Sequence, residues 1–484
     1  MTETTTRRFF LGAVSAAAAT RVWGANDKIG VGIVGLGGRG SGHVRLYAGL
    51  AGARVVGLCD VNQTQRELAQ ASLARLGAEK AGEFEDMRAM FADPAVEAVS
   101  IATPNHWHAL ASIWAMKAGK DVYCEKPACY NVYEGQKMLE VQRQTGKLVQ
   151  IGSQHRSTPF KMKAIAALQQ GLIGKIYQSK GLCYKRRNTI GRKADSAVPP
   201  GVNWDLFLGP APMRPFNELR FRYNWHWFWD TGNGDIGNQG VHEIGIARWA
   251  LGDPAWPKAA FSSGGKFAYD DDQETPNTQL CTYNYGASEL VFEVRGLYTG
   301  GEGTPARRMA FGPGGPGGRG GRGGRGGAPG GAPGDAPPPE APAGAPPLLP
   351  PVAPPAASGP APLNVTVGNL FYGTEGWAAM NDGGFQAYKG ESGELIMEEH
   401  AERGTGDTTA LHMANFLSAC RSRNEKELRD PLSNDWLSAS LCHLANISYR
   451  VGRKLTLEDG PKFTGDAEAT RMLTRDVYRK PYVV

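Results

Sequence analysis

The sequence predicts an α/β protein whose N-terminal part is a doubly wound parallel sheet. Three observations predict it. An apolar strand at residues 28–34 runs directly into the glycine-rich turn Gly35-Leu36-Gly37-Gly38-Arg39-Gly40, and a helix-forming stretch follows. From there to Gly152, short apolar runs alternate with helical patterns, which is the signature of βαβ units. Beyond Leu280 the alternation gives way to consecutive strands, Leu280 to Tyr285 and Glu289 to Leu297.

In a turn of the form G-x-G-x-x-G the first glycine permits the bend, and the second lets a pyrophosphate approach the backbone. The third lets the helix pack on its strand with N–H groups aimed at the phosphates. Gly35, Gly37 and Gly40 fit this spacing, with Gly38 and Arg39 inside the turn. Sixty-five glycines in 484 residues make chance matches expected, so context decides. The second apolar run, Ala53 to Cys59, ends in Asp60, 20 residues past Gly40, where a carboxylate accepts hydrogen bonds from an adenosine ribose and repels a 2′-phosphate. This favours NAD over NADP. The competing reading is an ordinary glycine turn with Asp60 as a helix N-cap.

Further along, helices are expected from Asn62 to Leu76, Asp86 to Phe91, Ala109 to Ala118 and Val132 to Thr145. Strands are expected at Ala98 to Ala102, Asp121 to Cys124 and Leu148 to Gly152. Ligands in such sheets bind beyond the carboxyl ends of the strands. The turn, Asp60, Thr103 to His108 and Glu125-Lys126-Pro127 therefore converge on one crevice.

The order and spacing of Gly35 to Gly40, Thr103-Pro104-Asn105 with His108, and Glu125-Lys126-Pro127 resemble the glucose-fructose oxidoreductase/inositol dehydrogenase/MocA (Gfo/Idh/MocA) family, over residues 26–298 and 365–484. The resemblance implies a Rossmann domain at 26–150. At 151–484 it implies an α+β substrate and oligomerisation domain built on a large open, mostly antiparallel sheet. It also implies that Lys126 sits beside the nicotinamide and the substrate hydroxyl, and that Glu125 contacts the nicotinamide ribose. Thr103, Asn105 and His108 complete the expected cofactor site. Asn238 and His242 lie four apart in Gly234-Asp235-Ile236-Gly237-Asn238-Gln239-Gly240-Val241-His242, on one face of a helix, with Asp235 a turn earlier. The family shows aspartate where Asn238 stands. An amide cannot take a proton, so His242 becomes the candidate base, oriented by Asp235 or Asn238. Gln154 and His155 join the expected substrate site. Trp225, Trp227 and Trp229 alternate, and a strand would put all three on one face, as core or as a platform for sugar rings; Trp227 and Trp229 are the candidate sugar contacts.

These residues imply a nicotinamide-dependent oxidoreductase acting on a secondary hydroxyl of a sugar, glycoside or polyol. Two alternatives remain: a redox-neutral, glycoside-cleaving enzyme working through a keto intermediate, and a non-catalytic sugar- or cofactor-binding protein, kept open by Asn238 and by Gly245 at a position where a third acid is absent.

Residues 1–25 read as an address. Thr6-Arg7-Arg8-Phe9-Phe10-Leu11 is a twin-arginine pattern before an alanine-rich run too short to span a bilayer, which predicts export to the periplasm with folded cargo, or a membrane tether if the segment is retained. The Gly/Pro/Arg-rich stretch 299–362 has too few large apolar side chains to offset the entropy of ordering and is expected to be disordered. Most of the net charge of +6 lies outside the folded body: residues 1–25 and 300–362 carry +2 each, which leaves only +2 for the rest and no case for a nucleic-acid surface. The seven cysteines lack C-x-x-C spacing, so neither a disulfide framework nor a metal site is expected, and Cys59 and Cys124 read as small buried hydrophobes. A small-molecule carbohydrate is the expected partner, and the family resemblance implies self-association, as a dimer or tetramer, through the exposed face of the open sheet. Amphipathic helices are expected at Thr408 to Arg421 and Asn434 to Val451, and the tail Phe463 to Tyr482 resembles the family's closing arm.

Overall fold

The computed structural model describes residues 28–297, 299–301, 363–390, 393–402 and 408–484. The expected export segment, and nearly all of the expected disordered stretch, lie outside these residues. The first sheet is built from β1 (Ile29–Val34), β2 (Ala53–Cys59), β3 (Gly82–Phe84), β4 (Ala98–Ile101), β5 (Asp121–Cys124) and β6 (Val149–Ile151). Its helices are α1 (Gly38–Gly49), α2 (Gln63–Arg75), α3 (Met87–Ala92), α4 (Asn105–Lys117) and α5 (Val132–Thr145). All its pairings are parallel, in the order β3-β2-β1-β4-β5-β6. Strand order reverses between β1 and β4, which opens a crevice at their carboxyl ends. The apolar runs are buried on both faces, the composition such a parallel sheet requires. The fourth helix starts at Asn105, four residues before its expected start, because Pro104 supplies a fixed backbone angle at its N-cap.

The second sheet has nine strands, in the order β14-β13-β12-β11-β7-β10-β9-β8-β15. They are β7 (Ile176–Cys183), β8 (Ala259–Gly265), β9 (Thr278–Asn284), β10 (Glu289–Arg295), β11 (Val367–Gly373), β12 (Gly376–Met380), β13 (Gly384–Lys389), β14 (Glu394–His400) and β15 (Leu455–Thr456). Only the β7–β10 pair is parallel, so the sheet is mostly antiparallel as expected. The helices α6 (Pro159–Gln169), α8 (Val241–Ala250) and α10 (Leu432–Val451) cover one face, with short α7 (Trp204–Leu208) and α11 (Ala467–Arg471) peripheral.

The C-terminal chain returns to the first domain. Helix α9 (Thr408–Ser422) buries Met413, Phe416 and Leu417 in the core beneath β1 and β2. Tyr482 is buried against Trp107 and Trp114 of α4, with ring centroids 5.5 and 6.3 Å away. The two sheets thus share a boundary sealed by chain from the far end of the sequence.

The three alternating tryptophans do not form a strand. Asn224–Trp227 is a 3₁₀ turn. Trp225 stacks on His226 with centroids 3.6 Å apart, Trp227 is buried, and Trp229 lies under the guanidinium of Arg450 at 5.2 Å. The expected common face for sugar stacking is therefore absent. Three residues per turn send alternate side chains in different directions.

Candidate functional site

Gly35 adopts φ +80°, and a Cβ there would meet the Ala102 carbonyl oxygen at 2.8 Å; a Cβ on Gly40 would lie 1.7 Å from the Gly35 carbonyl oxygen. Only glycine lets the turn close and α1 pack against it. Around Gly37 and Gly38, by contrast, nothing lies within 4 Å of a built Cβ. The turn thus leaves open space at the N-terminus of α1, where unpaired N–H groups and the helix dipole suit an anion. Asp60 accepts the Leu36 N–H at 2.6 Å and the Asn62 N–H at 2.8 Å, one bond per oxygen, and so braces the turn while keeping lone pairs in reserve. Burial raises its pKa against those two N–H bonds. The chemistry of this donor set fits a dinucleotide: a phosphate cradle and, at the end of β2, a ribose acceptor.

At the end of β5, Glu125 Oε1 accepts from Arg39 Nε at 2.7 Å and lies 3.0 Å from His43 Nε2. Burial alone would raise the carboxyl's pKa, but Arg39 and His43 hold it well below the ordinary range. His43 did not emerge from the sequence, although its i,i+4 spacing from Arg39 on α1 puts both on one helix face. His43 Nδ1 meets Ser100 Oγ at 2.9 Å, which ties β4 to the same cluster.

Lys126, next in the chain, donates from Nζ to the Asn238 carbonyl at 2.7 Å. Burial lowers its pKa, with the Glu125 carboxylate opposing. Asn238 belongs to a π-helical turn, Ile236–Gly240, that leads into α8. A Cβ at Gly240 would strike the Phe292 ring of β10 at 2.6 Å, so the turn sits directly on the second sheet. The π turn shifts the helical register, a distortion often found at functional sites. His242 is 8 % exposed and its Nδ1 is buried without a partner. Burial, then the nearby Lys126 and His155, push its pKa well below the ordinary value, so the ring is neutral. His155 faces it edge-on, with centroids 4.9 Å apart.

Two expected roles change. Asp235 does not orient His242: its carboxylate is held bidentately by Arg187, at 2.6 and 2.9 Å, because an ion pair buried this deeply is satisfied by the planar guanidinium. The Asn238 amide turns to Tyr223 Oη at 3.2 Å and to Asp235 at 3.5 Å, so neither residue aligns the candidate base. His108 does not line the crevice. It is 1 % exposed and clamped between the carbonyls of Pro127, 2.7 Å from Nδ1, and Thr103, 2.9 Å from Nε2. It ties the ends of β4 and β5 together from behind. Asn105 donates to Asn233 Oδ1 at 3.0 Å, and Thr103 Oγ1 is buried without a partner at the mouth of the crevice. Gln154, also with a buried unpartnered oxygen, and His155 line a cavity of about 640 Å³ with Lys161 and Asp382. Trp227 packs under Arg187 at 5.3 Å, and Trp229 lies away from it, so the two do not form one contact surface. All seven cysteines are buried and unbridged.

Fold and site together define a two-domain, dinucleotide-binding α/β protein. Residues 29–153 match the oxidoreductase family with an NAD-binding Rossmann fold, and 163–260 match its C-terminal alpha/beta domain. Both matches are to the Gfo/Idh/MocA oxidoreductase family, so this chain is similar to that family in each of its two domains. It is similar to levoglucosan dehydrogenase of Pseudarthrobacter phenanthrenivorans, 27 % identical over 243 residues, covering 49 % of this chain and 55 % of the relative. It is also similar to inositol 2-dehydrogenase of Rubrobacter xylanophilus, 36 % identical over 200 residues, covering 41 % and 53 %. The chain spans about half the length of the curated relatives it matches. In fold it matches a levoglucosan dehydrogenase solved with NADH and levoglucosan (TM-score 0.59, 17 % identity, 90 % of this chain and 100 % of that one). It also matches the WlbA dehydrogenase of Bordetella pertussis in complex with NADH and UDP-GlcNAcA (0.56, 18 %, 89 % and 99 %).

Proposed function

We propose that this protein is an NAD-dependent oxidoreductase acting on a secondary hydroxyl of a sugar, glycoside or polyol. The observation that carries the reading is the meeting of a half-buried lysine, bonded to the π turn, and a neutral histidine with an unpartnered Nδ1 in the first turn of α8, beside the dinucleotide crevice. NAD, when bound, supplies the acceptor for the hydride leaving the carbinol carbon. Lys126 as an ammonium stabilises the developing alkoxide, and His242 accepts the hydroxyl proton at a ring nitrogen. Glu125, fixed by Arg39 and His43, holds the ribose end, and Asp60 the adenosine end. The same direction is supported by relatives named for levoglucosan and inositol oxidation. The test is the absorbance of purified protein in the reduced-nicotinamide band as free sugars, anhydrosugars and inositols are added. Growth of that band on one class supports the reading; no response from any class, with NAD binding no tighter than millimolar, overturns it.

We further propose that Arg7-Arg8 direct twin-arginine export and that the dinucleotide travels bound. A strap from the second domain lies beside Asp60 and supports retention: Gln63 N–H donates to the Gly201 carbonyl at 2.8 Å, and Asn203 N–H to the Val61 carbonyl at 2.9 Å. Self-association through the outer face of the nine-stranded sheet is proposed as well. Cross-strand register puts Tyr372, Trp377 and Tyr388 on that face, the last two stacked at 4.4 Å.

A further inference from the structure

His155 and Lys161 form an arrangement that the cofactor and base assignments leave unused. Lys161 is 3 % exposed, and its ammonium reaches two partners, His155 Nδ1 at 2.9 Å and Asp382 Oδ1 at 2.7 Å. An ammonium carries three donors and no acceptor. The His155 Nδ1 that it touches must therefore be the bare, accepting nitrogen, and the ring proton must sit on Nε2. Burial and the adjacent Lys161 ammonium push the imidazole pKa down to about 3, so no second proton competes. Nε2–H has no partner among the described residues; the ring lines the cavity beside Gln154 and stands edge-on to His242, with centroids 4.9 Å apart.

We propose that Lys161, anchored by Asp382, is a positioning residue that locks His155 as the Nε2–H tautomer, so that His155 presents a hydrogen-bond donor to a substrate oxygen next to the hydroxyl from which His242 takes its proton. The two neighbouring neutral histidines then divide the work: His242 accepts and His155 donates. A flipped His155 tautomer would present a bare nitrogen, which suits only a substrate donor. The lysine thereby selects substrates with an acceptor oxygen, such as a ring, glycosidic or hydroxyl oxygen, beside the reacting carbinol. This inference rests on the oxidoreductase reading for its kinetics but not for its tautomer.

The experiment uses the full-length protein with ¹⁵N-labelled histidine, the His155 resonances being assigned by their loss in His155→Gln. The expected result is an Nε2–H imidazole in the wild type, a shift toward Nδ1–H in Lys161→Met, and restoration in Lys161→Arg, whose guanidinium also only donates. On the most responsive sugar, Lys161→Met should raise KM roughly fivefold to tenfold, the scale of one hydrogen bond, with NAD affinity unchanged. An Nδ1–H His155 in the wild type, or an unaltered tautomer in folded Lys161→Met, overturns the proposal. A wild type that oxidises no sugar overturns the functional reading instead and leaves the tautomer measurement standing.

Discussion

Lys126 and His242 differ in how much the sequence says about each. The lysine is marked by its place in Glu125-Lys126-Pro127 at a strand end, whereas the histidine depends on a helix turn that no periodicity specifies as π. Lys126→Ala and His242→Ala are each expected to lower kcat by orders of magnitude, with NAD still bound by fluorescence titration. Because His242 is neutral far below the ordinary imidazole pKa of about 6.5, the acid limb of the kcat/KM profile is expected below that value. Glu243 gives a separate prediction. Its Oε1 accepts from Gln239 at 3.1 Å, its Oε2 has no partner, and burial raises its pKa from 4.5 to about 8. A folded-state pKa above the unfolded one means that stability is fully present below about 4.5 and falls as pH rises through about 8. Thermal unfolding across this window should show Glu243→Gln losing less stability than wild type.

At the scale of elements, the glycine-rich turn was legible because its requirements are local. A Gly40→Ala side chain would collide with the Gly35 carbonyl, and a cost of about 3 kcal/mol is expected, read as a lower Tm with weakened NAD binding. Most helices and strands were legible from period alone; Val132–Thr145 and Asp121–Cys124 have the expected bounds. The tryptophan stretch was not, because alternation over five residues fits a strand as well as a 3₁₀ turn followed by a loop. Contacts from Arg187 and Arg450, distant in sequence, select between them. His108 misled for a similar reason: a polar side chain at a strand end points into the crevice or behind it, and only the neighbouring carbonyls of Thr103 and Pro127 decide which.

For the whole molecule, the nine-stranded sheet is joined across the long Gly/Pro-rich stretch. Cys183 of β7 pairs with Val294 of β10 on one side and Val367 of β11 on the other, so the ends of β10 and β11 lie two strand spacings, about 10 Å, apart. Replacing 302–362 with a short flexible linker is therefore expected to leave Tm and NAD binding near wild type, and a loss of either would give the stretch a structural role. If the outer face associates, Trp377→Glu should lower the mass seen by sedimentation while sparing the absorbance response to substrate. The amino-acid sequence by itself determined the class of fold and the dinucleotide turn, since both rest on period, spacing or backbone sterics within a few residues. It pointed to the candidate lysine through the resemblance of Glu125-Lys126-Pro127 to a family motif at a strand end. Tertiary structure alone decided which polar groups meet: Arg39 and His43 at Glu125, Arg187 at Asp235, and Lys161 at His155. Those meetings depend on how two sheets and a returning C-terminal chain are juxtaposed, and burial then sets the protonation of each group.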